Sequence, residues 1–186
     1  MKISKNFVSL KLQFAALVVA LAAMFCGCSQ IHIPESILRF QALKAEKTKK
    51  YSECDRLFTQ LVKQNPKDDA SLAALGHCKY HLNEFDSAIE VLTQAIKVNP
   101  KNDRAYDLRG LCKYKQKNYE AAIVDYEKAL TLNPANPHTE EDLGNIYKKL
   151  GNRENALEHL FKAQMIYTKF GAKKDLKRVG KALDGV

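Results

Sequence analysis

The chain has 186 residues, 46% of them hydrophobic and 27% charged, with a net charge of +9, five Cys, eight Gly, five Pro and no Trp. That composition excludes a disordered acidic tail, a collagen-like polymer and a polytopic membrane protein, and the length suits one domain whose core needs no disulfide or metal staple. A net +9 raises a nucleic-acid partner only if the charges sit together, so their distribution decides what it means.

Lys2, Lys5 and Lys11 precede an apolar run from Phe14 to Phe25. A basic flank before a short apolar core reads as a secretory signal over residues 1–27, below the roughly 20 residues of a membrane span. Phe25-Cys26-Gly27-Cys28-Ser29 follows. This segment resembles the lipobox of bacterial lipoproteins, with Gly27 and Cys28 in its last two positions, Phe25 in place of the usual Leu and Cys26 in place of Ala or Ser. The resemblance implies acylation of Cys28 as the mature N-terminus, a lipidated linker over 28–34 and anchoring in the bilayer by several chains. A plain cleaved signal and an uncleaved anchor stay open. Each outcome exports the rest of the chain, because the positive flank stays inside. Ser29 after the Cys is compatible with the periplasmic face of the outer membrane.

Beyond the linker, Asn-Pro recurs at Asn65-Pro66, Asn99-Pro100 and Asn133-Pro134, each 34 residues apart. A fixed period of this size means stacked repeats, here 35–68, 69–102, 103–136 and 137–170. Column 8 then holds Ala42, Gly76, Gly110 and Gly144; column 20 holds Cys54, Ala88, Ala122 and Ala156; column 27 holds Leu61, Ala95, Ala129 and Ala163. Column 24 carries the larger Phe58, Leu92, Tyr126 and Leu160. Small residues let helix axes approach and large ones fill the holes between them, so each repeat predicts two antiparallel helices, A and B. Ala88, Ile89, Leu92, Ala95 and Ile96 form a helical stripe that Ala122, Ile123, Tyr126, Ala129 and Leu130 repeat. Each Asn-Pro ends a helix, since the residue before Pro is pushed out of the α region. Asn83, Asn118 and Gly151-Asn152 mark the turns inside the repeats.

The segments Leu72-x₂-Leu75-Gly76, Ala88-x₃-Leu92 and Pro100, repeated as Tyr106, Gly110, Ala122-x₃-Tyr126 and Pro134, resemble the tetratricopeptide repeat family. The fourth repeat keeps Leu143-Gly144-x₂-Tyr147 and Ala156-x₃-Leu160, and the first is the most degenerate. Arg109 at column 7 and Lys79 and Lys113 at column 11 depart from the pattern. The resemblance implies an all-α, right-handed α-solenoid of four repeats over 35–170. Residues 171–186 close it, with Leu176, Val179, Ala182 and Leu183 on one side of a capping helix and Lys173, Lys174, Lys177, Arg178 and Lys181 above them. An arm for nucleic acid or anionic lipid is the sharper alternative for that helix.

No Gly-rich phosphate loop, C-x-x-C, H-E-x-x-H or G-x-S-x-G occurs in the sequence. No catalytic residue, cofactor or small-molecule substrate is expected. His77 and His81 lie one helical turn apart and could share a metal, but nothing adjacent clearly completes a site, so groove-lining polar residues are the better account. Cys54, Cys78 and Cys112 read as small apolar packers, and an oxidising compartment leaves a bridge at Cys54 open.

In this family partners lie in the concave groove lined by helix A. The resemblance carries that role onto Arg39, Ala73, His77, Tyr80, His81, Arg104, Asp107, Tyr114, Lys115, Glu141, Asn145 and Lys148. The family's clamp for a chaperone tail is absent, because its positions fall on Leu43, Ala74, Arg104 and Leu108. Tyr80 and Tyr114 with nearby Arg and Lys suit a peptide segment instead. The expected function is a non-enzymatic scaffold lipoprotein that binds an envelope protein, in assembly of a pilus, secretion or outer-membrane machine; a periplasmic chaperone-like binder is the alternative. The positive charge divides among export signal, cap and groove, which points away from nucleic acid and toward a protein segment, slightly acidic if anything.

Overall fold

The structure, a computed structural model, describes residues 33–186. The signal over 1–27 and the lipidation residue Cys28 lie outside the described residues. Among the described residues the chain is all helical: α1 Glu35–Lys47, α2 Tyr51–Gln64, α3 Asp69–His81, α4 Phe85–Val98, α5 Asp103–Lys115, α6 Tyr119–Leu132, α7 Pro137–Lys149, α8 Arg153–Phe170 and α9 Lys173–Asp184. They form two compact units, one ending at Asn65 and one spanning Pro66–Val186.

The first unit is the hairpin of α1 and α2. It buries Leu38, Ala42 and Ala45 from α1 and Cys54, Leu57, Phe58 and Leu61 from α2. In the second unit, hairpins α3–α4, α5–α6 and α7–α8 follow one another, each B helix packs on the next A helix, and α9 packs on α8.

Local chemistry sets every boundary. Asn99 and Asn133 end α4 and α6 in an extended conformation with φ −134° and −137°, as the following prolines require. Their side chains do more than terminate. Asn99 Nδ2 donates to Asp69 Oδ2 at 2.9 Å, and Asn133 Nδ2 donates to Asp103 Oδ2 at 2.9 Å, tying the end of each repeat to its own first residue. Asp68, Asn102 and Asn136 then cap α3, α5 and α7 by accepting from Ser71, Ala105 and Thr139 backbone N–H groups.

Within each hairpin the turn is left-handed at the same column. Lys49, Asn83, Lys117 and Gly151 have φ of 58°, 63°, 63° and 73°, and the next N–H donates five residues back, as in Glu84 N to Lys79 O. The sequence reading placed Asn118 at this turn; the strained residue is Lys117, while the Asn118 side chain accepts from Ala121 N–H. A lysine here is tolerated because the closing hydrogen bonds offset a left-handed cost of about 1 kcal/mol.

Column 8 glycines touch column 24 side chains as the small-and-large pattern requires. A Cβ on Gly76 would stand 2.5 Å from Leu92 Cγ, and one on Gly144 would stand 2.7 Å from Leu160 Cγ. At Gly110 the nearest atoms are Tyr126 ring carbons at 3.1 Å. The α8 helix lacks a terminal Asn-Pro and runs on to Phe170, where Gly171 takes φ 65° as its cap.

Cys54, Cys78 and Cys112 are all fully buried. Cys54 and Cys78 are each disulfide-bonded, which corrects their reading as unlinked packers. Among the described residues Cys112 is a free thiol, and burial pushes it up to about 12.

Candidate functional site

The A helices of the second unit present columns 2, 5, 9, 12 and 13 along one side, and α3 and α5 carry the aromatic members. Tyr80 is half-buried against the His81 ring at 5.1 Å and the Phe85 ring at 5.9 Å. Tyr114 is half-buried, 5.8 Å from the Tyr119 ring. In both hairpins the column 12 tyrosine is therefore braced by the first residue of its own B helix. Such a ring is already ordered and loses little entropy when a partner covers it.

The two histidines of α3 approach closely, with Nε2 atoms 3.1 Å apart and rings edge to face at 4.6 Å. Among the described residues no group of three or more His, Cys, Asp or Glu could hold a metal ion. The pair serves as a polar edge beside Tyr80.

The remaining predicted positions do not form one open surface. Ala73 is buried at 1% exposure and offers nothing to a partner. Arg39, in the first unit, donates to Glu35 at 2.6 Å. Arg104 and Lys115 are exposed on α5, and Asn145 is half-buried on α7. Asp107 accepts from Thr139 Oγ1 at 2.5 Å and is held inside the α5–α7 contact. Glu141 is only 5% exposed: Arg178 of α9 donates to both its oxygens, at 2.5 and 2.6 Å, and Tyr167 OH donates to it at 3.0 Å. Lys148 Nζ donates to the Ala182 carbonyl at 2.9 Å. The C-terminal helix thus occupies two of the α7 positions that sequence reasoning offered to a partner. The signal that could have found this is Leu176-x₂-Val179-Gly180-x₂-Leu183, which repeats the helix A spacing of Leu72-x₂-Leu75-Gly76. Here α9 takes the place of a fifth A helix, and among the described residues no atom beyond its own helix backbone and chain neighbours lies within 4 Å of where a Gly180 Cβ would be.

What remains presented is a patch of His77, Tyr80, His81, Arg104, Tyr114, Lys115 and Asn145. Two of the basic positions are engaged within the fold, Arg39 with Glu35 and Lys148 with α9, and so are the two acidic ones, Asp107 and Glu141, which leaves Arg104 and Lys115 as the charged members of the patch. Behind the patch lie two buried carboxyls, Asp107 and Asp142. Burial, with Asp107 and Glu141 nearby, raises Asp142 to about 7; its oxygen accepts from Tyr126 OH at 3.4 Å. Burial also raises Asp107. Tyr80 is raised by burial and by the Asp142 charge. The patch combines two aromatic rings, imidazole edges and nearby acceptors. It is suited to holding a polypeptide segment.

Known proteins can be set beside this geometry. Residues 110–151 match the family model described as TPR repeat, and residues 142–169 match that described as tetratricopeptide repeat. Residues 47–129 match that of anaphase-promoting complex, cyclosome, subunit 3. No curated protein matches the chain closely enough to count as a relative. A crystal structure of MamA is 19% identical over 92% of this chain and 98% of that chain, with a TM-score of 0.72, a likeness of fold. The first TPR of Spaghetti (RPAP3), bound to the HSP90 peptide SRMEEVD, is 25% identical over 66% of this chain and 99% of that one, with a TM-score of 0.60. The Arabidopsis OM64 TPR domain is 23% identical over 62% of this chain and 95% of its own, also with a TM-score of 0.60. Matched models cover residues 110–169 as tetratricopeptide repeats, and the period and the fold agree with an all-α solenoid of such repeats in the described residues.

Proposed function

We propose that this chain is a non-enzymatic adaptor of the bacterial cell envelope, tethered through an acylated Cys28, that holds a segment of another protein against α3 and α5. The observation that carries the reading is the pair of braced, half-buried tyrosines, Tyr80 and Tyr114, at the same column of successive A helices. Equivalent points on stacked repeats lie about 10 Å apart, so an extended segment of three or four residues spans both rings. His77 and Asn145 border the rings and bring polar groups toward its backbone and side chains. The peptide bound by the similar RPAP3 domain supports a peptide as the class of partner. The basic flank, apolar run and Cys28 support export and lipidation, and the disulfide-bonded state of Cys54 and Cys78 supports an oxidising compartment.

Cross-linked co-purification with mass spectrometry tests the partner face. Tyr80→Ala with Tyr114→Ala is expected to lose the dominant partner at least tenfold while helicity is kept, and retention of that partner by the double variant would sink the assignment. Labelled palmitate tests the tether separately, with incorporation expected in the full chain and abolished by Cys28→Ala.

A further inference from the structure

The B helices share one register, so their outward positions serve as controls for one another. Columns 25 and 29 hold Thr93 and Lys97 in α4 and Glu127 and Thr131 in α6, all exposed. In α8 the same columns hold Phe161 and Met165, exposed at 51% and 72%, and Phe170 at the end of that helix is exposed at 67%. Phe161 and Met165 stand four residues apart on one side of the helix. Lone exposed apolar residues are ordinary, but Phe161 and Met165 side by side, at columns where the sister helices are polar, mark an interaction surface; Phe170, half a turn round the helix from Phe161, stands at its end.

Lysines border this surface. Lys169 adjoins Phe170, and the Gly171–Ala172 turn, closed by Ala172 N–H donating to Tyr167 O at 3.0 Å, brings in Lys173 and Lys174 at once. Lys177 and Lys181 follow one and two turns along α9, all five being exposed. The neighbouring acids Glu158 and Asp175 are already paired, with Lys162 at 2.5 Å and Arg178 at 2.7 Å.

We propose that this end of the molecule, the outer side of α8 with the lysines of the α8–α9 turn and of α9, docks on an anionic lipid bilayer. A two-fold contact between two copies would set lysine against lysine. A nucleic acid would neutralise the lysines but leave Phe161 and Met165 uncovered. An anionic bilayer answers both features, since headgroups meet the lysines and the interfacial region takes up the apolar side chains. The proposal is independent of acylation at Cys28 and of the peptide-binding face.

The absence of tryptophan from the sequence supplies a local probe. Full chain carrying Phe161→Trp is titrated with phosphatidylcholine vesicles, with and without roughly one third phosphatidylglycerol, alongside Glu127→Trp at the same column of α6. A blue shift of the Phe161→Trp emission with the anionic vesicles alone, and none from Glu127→Trp, is the expected result. Adding Lys173→Glu and Lys174→Glu is expected to weaken that response about 20-fold or more, at roughly fivefold for each lysine charge removed. Equal shifts from both tryptophans would mean that the N-terminal apolar run alone brings the chain to the bilayer, and would overturn the proposal. So would a shift driven by protein concentration without lipid, which reports a second copy, a shift driven only by a DNA duplex, or no shift. Met165→Trp gives the same readout if Phe161→Trp loses helicity.

Discussion

The hairpins α3–α4 and α5–α6 share a 34-residue register and a turn geometry but solve the same packing problem with different chemistry. In α3–α4, columns 7, 23 and 24 hold Leu75, Val91 and Leu92, an apolar set. In α5–α6 they hold Arg109, Asp125 and Tyr126. Asp125, 3% exposed at its side chain, receives Arg109 Nε and Nη2 at 2.8 and 2.6 Å and Lys113 Nζ at 2.7 Å. Arg109 also donates to Thr93 of the preceding hairpin at 3.1 Å. The two departures from the family pattern at Arg109 and Lys113 are therefore one feature, three charges satisfied together. The buried Tyr126 hydroxyl in turn has Asp142 of α7 as acceptor. One repeat backbone accepts either solution, because the columns fix where a side chain stands and leave open what it offers there.

The largest expected effect breaks the polar solution. Asp125→Ala strands two cations that are less than one quarter exposed and is expected to cost about 3 kcal/mol in urea unfolding. Replacing Arg109 and Asp125 with their counterparts in the other hairpin, through Arg109→Leu and Asp125→Val, and removing the third charge with Lys113→Leu, is expected to be neutral or stabilising. A loss as large as that of Asp125→Ala would show that the charges are needed for the fold itself.

Next in size is the titration of Asp142. Its folded value of about 7 stands above the ordinary 3.8 of an aspartate, so its stabilising contribution is fully present below about pH 4 and is lost as pH rises through 7. Asp107, Glu141, Tyr126, Tyr80 and Arg178 face it. Asp142→Asn keeps an acceptor for Tyr126 and removes the titration, so it should gain on the natural chain by on the order of 3 kcal/mol between pH 4 and 8. A gap that stays constant across that window would show that Asp142 is solvated.

The smallest effect sharpens the contrast at column 8. Gly76→Ala drives a methyl to 2.5 Å from the branch carbon of Leu92, a clash expected to cost about 1.5 kcal/mol after the gain in helix propensity. Gly110→Ala meets Tyr126 ring carbons at 3.1 Å and the Ala122 carbonyl oxygen at 3.3 Å and is expected to cost less. Equal melting temperatures for the two would mean that Leu92 moves aside as readily as the Tyr126 ring.

Much of the fold was legible because its determinants are short-range and periodic. Asn-Pro stops a helix wherever it stands, and Gly76, Gly110 and Gly144 repeat at the interval of the large side chains they accept. The site was harder to read. Tyr80 and Tyr114 could be placed on the proposed partner face by column, but the engagement of Glu141 by Arg178 links residues 37 apart through a helix that begins out of period. Because α8 lacks the terminal Asn-Pro, it runs longer and shifts α9, and that shift conceals the helix A pattern of Leu176, Val179, Gly180 and Leu183.

By itself the sequence determined the period, the helix ends and the interior columns, since these follow from backbone dihedrals and from the 3.6-residue stripe. Tertiary structure decided which charges are free. Burial of Asp125, Glu141 and Asp142 depends on which helix lies over them, and a carboxyl reads the same in sequence whether water or a neighbouring guanidinium faces it. It also singled out the outer side of α8, where Phe161 and Met165 continue a helical stripe that has no partner helix to cover it.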